Sequence, residues 1–146
     1  MAEGFSLFAK RTLCRHDPSL CDGTFRGQRI SLRGLELEGE LPTQLGLLRQ
    51  LTHIDLSVNK LDARSLPTEL GKLDRLVEMR LDNNNIRGTI PTEFGKLRQL
   101  ESLILFQNYI SGSLPTQDRQ ANLRTLSAKH AAGSHVGLGS LIPART

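Results

Sequence analysis

Residues 73–95 read LDRLVEMRLDNNNIRGTIPTEFG. The apolar positions are Leu73, Leu76, Met79, Leu81, Ile86, Ile90 and Phe94; Asn84 sits among them, and Gly88-Thr89-Ile90-Pro91 marks a turn. A helix of period 3.6 does not give that spacing. Met79 and Leu81, alternating with Glu78, Arg80 and Asp82, predict a short strand instead. One such unit leaves its own apolar edge uncovered, so it needs copies stacked on either side.

The copies are present on both sides. Forward, the pattern returns at Leu97, Leu100, Leu103, Leu105, Asn108, Ile110, Gly112, Leu114 and Pro115. Backward, it runs through Leu48, Leu51, Ile54, Leu56, Asn59, Leu61, Leu66 and Pro67, and before that through Ile30, Leu32, Leu37, Gly39, Leu41 and Pro42. The four prolines step by 25, 24 and 24 residues. This L-x-x-L-x-L-x-x-N-x-L pattern resembles the leucine-rich repeat family. The added G-x-[IL]-P-x-x-[LF]-G is similar to the plant-type subclass, as in receptor-like kinase ectodomains, over about residues 28–117. The resemblance implies an α/β solenoid, a right-handed coil of about four 24-residue turns, with a parallel β-sheet on its concave face. Loops or 3₁₀ turns are expected outside. Three segments follow: a cap-like stretch over 1–27, repeats over 28–118, and a degenerate or disordered tail over 119–146.

Charge divides along the same lines. Residues 1–118 carry 15 basic and 15 acidic side chains, and the excess of +4 comes from Arg119, Arg124, Lys129 and Arg145. A neutral body argues against a nucleic-acid groove. No apolar run approaches the ~20 residues of a membrane span. Met1-Ala-Glu-Gly opens neither a basic n-region nor an apolar h-region. As it stands the chain is expected in the cytoplasm; as a fragment of a longer receptor-like protein it is expected outside the cell or at its surface.

Before the repeats, residues 5–13 predict two helical turns with Phe5, Phe8 and Leu13 on one side. Cys14 and Cys21, the only cysteines, admit two readings. They are two free cytosolic thiols, or, as the resemblance implies, a disulfide-bonded cap over the first repeat. The pair, with His16 alone beside it, makes a poor zinc site, and no metal or cofactor is expected. Asn59, Asn84 and Asn108 are read as structural. Each carboxamide can donate to and accept from the backbone where the strand turns away. The second repeat is one residue longer, at Asp62-Ala63-Arg64-Ser65, and lacks the glycine of its neighbours, which predicts a local bulge.

No catalytic constellation is present: no G-x-S-x-G, P-loop, H-E-x-x-H or kinase signature. A non-enzymatic protein- or peptide-binding module is therefore expected, receptor-like by the resemblance, with an intracellular scaffold as the alternative. The residues between the core leucines should form three lanes across the strands. The first is Arg29, His53, Glu78 and Ser102; the second Ser31, Asp55, Arg80 and Ile104; the third Arg33, Ser57, Asp82 and Phe106. Arg29, Arg33, His53, Asp55, Glu78, Arg80, Asp82, Ile104 and Phe106 are the candidate partner-binding residues. Asp55 should face Arg80, and His53 should face Glu78, about 4.8 Å apart. Ile104 and Phe106 serve either as a partner's docking patch or as the landing site for Leu123, Leu126 or Leu138 of the tail.

Overall fold

The computed structural model describes residues 12–112 and the short strand 125–127. Phe5 and Phe8, and the rest of the 119–146 tail, lie outside the described residues.

Each repeat begins with a three-residue strand whose middle side chain is buried. These strands are β1 (Arg29–Ser31), β3 (His53–Asp55), β5 (Glu78–Arg80) and β7 (Ser102–Ile104). Together with β9 (Thr125–Ser127) they form one parallel sheet in the order β1-β3-β5-β7-β9. The register is uniform. Ile30 pairs with Ile54, Ile54 with Met79, Met79 with Leu103, and Leu103 with Leu126. Because side chains alternate along a strand, that register places Ile30, Ile54, Met79 and Leu103 inside and the residues flanking each of them on the concave face.

Five-residue 3₁₀ turns follow Pro42, Pro67 and Pro91, at Thr43–Leu47, Thr68–Lys72 and Thr92–Lys96. The preceding Pro42, Pro67 and Pro91, at φ between −70° and −59°, set the entry to each turn. Inside these turns the coils touch backbone to backbone. A Cβ added to Gly71 would stand 2.6 Å from the Glu93 carbonyl oxygen, so only glycine fits. Between strands and turns runs a continuous core in which Leu56, Leu61, Leu73, Leu76, Ile86 and Phe94 have no exposed surface. Leu13, in the short helix α1 (Leu13–His16), and Leu20, in α2 (Ser19–Asp22), close its first end. A Cys14–Cys21 disulfide ties the two helical turns together.

The flank carries structure that the sequence did not announce. β2 (Glu38–Gly39) pairs with β4 (Lys60–Leu61), and β6 (Arg87–Thr89) pairs with β8 (Tyr109–Ser111), both parallel. β4 and β6 form no ladder, although the Asn85 and Arg87 N–H groups donate to the Leu61 and Ala63 carbonyls at 2.8 Å each, and this irregularity falls at the 25-residue repeat. Gly39, Gly88 and Gly112 all take φ near +80°, whereas Arg64, at the equivalent place, does not. There the chain instead buries Ala63 and presses the Arg64 carbonyl toward Gly88, 2.5 Å from where a Cβ would be. The extra residue is absorbed as this irregularity of the flanking sheet.

Candidate recognition face

The side chains leaving β1, β3, β5 and β7 on the side away from the core make one surface. In register they place Arg29 beside His53, His53 beside Glu78, and Glu78 beside Ser102. The second lane runs Ser31, Asp55, Arg80, Ile104 in the same way. β9 continues the sheet in the same register, with Thr125 opposite Ser102 and Ser127 opposite Ile104. Arg29, Ser31 and Arg33 are exposed; His53, Asp55, Glu78, Arg80, Ser102, Ile104 and Phe106 are half-buried.

The charges do not pair across the strands. Asp55 Oδ1 accepts from the Ser57 hydroxyl at 2.6 Å and the Ser57 N–H at 3.0 Å, within its own coil. Arg80 turns along its own coil as well, its Nε 3.6 Å from Asp82 Oδ1. Both atoms are buried, and neither makes a hydrogen bond, so the attraction between them is what offsets their desolvation. Asp82 Oδ2 accepts from Asn83 Nδ2 at 2.8 Å. The register neighbours Asp55 and Arg80 therefore stand side by side without an ion pair.

The third lane behaves differently from the other two. Arg33 is exposed and reaches Ser57 Oγ with Nη1 at 3.3 Å, but Ser57 and Asp82 are 0% and 1% exposed. The strands end at Ser31, Asp55, Arg80 and Ile104, two residues before this lane, and the chain is already bending inward. Asp82 is thus walled in by Arg80 and Asn83, whereas Phe106 keeps part of its ring at the surface.

Behind the bend stands a column of asparagines. Asn84 Oδ1 accepts from the Leu61 N–H at 3.0 Å, while Nδ2 donates to the Leu56 and Leu81 carbonyls, each at 3.0 Å. Asn108 repeats the arrangement, accepting from Ile86 N–H at 2.9 Å and donating to Leu81 O at 2.8 Å. Asn59 does so toward Leu37 N–H and Leu32 O. Each carboxamide bonds both its own coil and the one before, so the column joins adjacent coils through otherwise unpaired backbone groups. The residue before each of these asparagines is left-handed: Val58, Asn83 and Gln107 have φ of 57°, 56° and 55°. Asparagine tolerates that region; a β-branched valine there is strained.

In front of this column a groove of about 290 Å³ opens, lined also by Asn83, Asn85, Gln107 and Tyr109. Nothing in the repeat pattern marks it, because its walls are the positions where the pattern allows any residue. The available signal was the run Asn83-Asn84-Asn85 followed one coil later by Gln107-Asn108-Tyr109. At the N-terminal cap, the Thr24 hydroxyl and N–H donate to Asp22 Oδ1 at 2.6 and 2.8 Å. Those bonds hold the Asp22 carboxyl below its ordinary 3.8. Among the described residues no helix is long and apolar enough to cross a membrane.

A parallel-strand solenoid with an asparagine column and a variable sheet face defines a class of repeat proteins that present a surface. The chain belongs to the leucine-rich repeat family, in its plant-type subclass. A profile of the family, the Leucine Rich Repeat, matches residues 75–97. Among solved structures, the chain is 38% identical to one in a crystal structure of PEPR1–AtPEP1, with a TM-score of 0.67, over 70% of this chain and 15% of that one. It is 38% identical, with a TM-score of 0.64, to a chain of the BIR3–SERK2 complex from Arabidopsis thaliana, over 69% of this chain and 55% of that one. It is 31% identical, with a TM-score of 0.64, to a chain of the plant peptide hormone receptor RGFR1 in complex with RGF2, over 70% of this chain and 17% of that one. The chain therefore spans about half or less of the length of these three. No curated protein sequence matches it.

Proposed function

We propose that this chain is a non-enzymatic recognition module that binds a protein or an extended peptide on its concave face, as part of a receptor-like protein. The observation that carries the reading is the contrast between lanes and core. Across β1, β3, β5 and β7 the inner residue stays aliphatic or Met, while the outer lanes change from Arg29 to His53, Glu78 and Ser102. A rigid scaffold with a varied face is what side-chain recognition of a partner requires. Support comes from the receptor RGFR1, whose solved structure is a complex with RGF2.

The contact set we assign is Arg29, Arg33, His53, Asp55, Glu78, Arg80, Ile104 and Phe106. Asp82 serves it indirectly, through Arg80. The basic end at Arg29 and Arg33 suits acidic groups of the ligand, and the apolar end at Ile104 and Phe106 suits an aliphatic or aromatic anchor. The Cys14–Cys21 disulfide favours an oxidising compartment, and so a receptor-like module over an intracellular scaffold.

Peptides selected from a random display library on the oxidised protein provide the test. Titration calorimetry should show Phe106→Ala weakening the selected peptide by about 1–3 kcal/mol, with little change in melting temperature. Equal binding by wild type and variant would refute the assignment.

A further inference from the structure

The groove in front of the asparagine column has a composition unlike the rest of the surface. Its floor is Asn59, Asn84 and Asn108, whose carboxamides are already committed to the backbone. Its walls are Asn83, Asn85, Gln107 and Tyr109. No lining side chain carries a charge, and all but Tyr109 are carboxamides.

The walls hold unused bonding capacity. Asn83 spends one donor on Asp82, and the amides of the exposed Asn85 and Gln107 bond to none of the described residues. A carboxamide offers donors and an acceptor side by side, which matches adjacent hydroxyl groups, each itself a donor and an acceptor. Asn83 and Gln107 share one left-handed backbone geometry on neighbouring coils, linked through Asn83 N–H to Phe106 O and Asn84 N–H to Gln107 O. Two amides are thus presented in parallel, about one strand spacing apart.

Tyr109 supplies the other half of the chemistry. It is 56% exposed although large and aromatic. Its register partner Arg87 places the guanidinium over one face of the ring, 5.8 Å from the centroid. A flat ring beside a set of neutral amides fits a molecule with an apolar C–H face and a hydroxyl rim. The lining itself offers a carboxylate, phosphate or ammonium no counter-charge, and the Arg87 guanidinium at its edge is taken up by the Tyr109 ring.

We propose that this groove is a binding site for a neutral saccharide, beside the concave face and independent of the peptide reading of that face. The site pairs the wall amides with ring hydroxyls and stacks one sugar ring on Tyr109.

Saturation-transfer NMR on the full, oxidised chain tests it. The probes are short neutral gluco-, xylo-, manno- and galacto-oligosaccharides, with an oligogalacturonide as the charged control. Transfer is expected to at least one neutral probe. Affinity should fall about tenfold in Tyr109→Ala and in Asn85→Ala. Tyr109→Leu, which keeps bulk at the edge without the flat ring, should lose affinity as Tyr109→Ala does, and Phe106→Ala should retain it. The proposal is overturned by transfer to none of the neutral probes, by preference for the oligogalacturonide, or by Tyr109→Leu binding as wild type. Displacement of the sugar by a concave-face peptide together with its loss in Phe106→Ala would overturn it too, since that places the sugar on the sheet.

Discussion

Ile30, Ile54, Met79 and Leu103 stand on the inner side of four successive strands, and His53, Glu78 and Ser102 stand beside them on the outer side. The inner column repeats one kind of residue because each layer must fit the next at close-packed density. The outer lanes repeat nothing, since water accepts any side chain there. One register serves both, so the same strand pairing that builds the core also lines up the face. The two regions should respond to substitution in opposite ways.

The largest effect is expected inside. Leu81 is 1% exposed, and Leu81→Ala should cost about 2–5 kcal/mol, lowering the denaturation midpoint. An unchanged midpoint would mean that layers tolerate gaps, and the contrast with the face would fail. Next comes the asparagine column. Asn84→Ala removes the acceptor of Leu61 N–H and a donor to Leu56 O and Leu81 O. Each orphaned group costs about 1–3 kcal/mol, so urea titration should show a clear loss, which Asn84→Asp would only partly restore.

Val58 sharpens the comparison from the other direction. It is 41% exposed and holds φ at 57°, where the next two coils place Asn83 and Gln107. Val58→Asn should therefore stabilise the chain by about 1 kcal/mol. No gain, or a loss, in the same titration would show that valine makes a contact worth the strain. The smallest effect lies at the cap. Thr24 holds the Asp22 carboxyl below 3.8, so the contribution of this group is present above its unfolded value and is lost as pH falls through the folded one. Asp22→Asn should slightly lower stability at neutral pH and leave it nearly unchanged below the folded value, which flattens the acid limb of the stability profile. An equal change at both pH values would remove the carboxylate as the cause.

The fold was legible because a stacked coil writes its period into the chain. Prolines at steps of 25, 24 and 24 residues located the turns, and the alternation around Met79 located the strand and its register. The two flanking ladders were not legible. They depend on glycine at Gly39, Gly88 and Gly112 adopting φ near +80°, and on how Arg64 fails to follow, which are backbone properties. The lanes could be read from residue spacing, but not how far each side chain reaches the surface. Asp82 shares its lane with Arg33 and Phe106 yet is 1% exposed, because the strand ends at Arg80 and the bend carries the next residues inward. The pairing of Arg80 with Asp82, rather than with Asp55, follows from that bend. The amide groove was hidden for a further reason: its walls occupy positions on which the repeat places no demand.

The central claim is that recognition belongs to the concave sheet. Amide hydrogen exchange of the oxidised chain, with and without a selected peptide, tests it most directly. The account predicts new protection in peptides spanning 29–33, 53–57, 78–82 and 102–106. Protection confined to the 3₁₀ turns at Thr43–Leu47, Thr68–Lys72 and Thr92–Lys96 would contradict it.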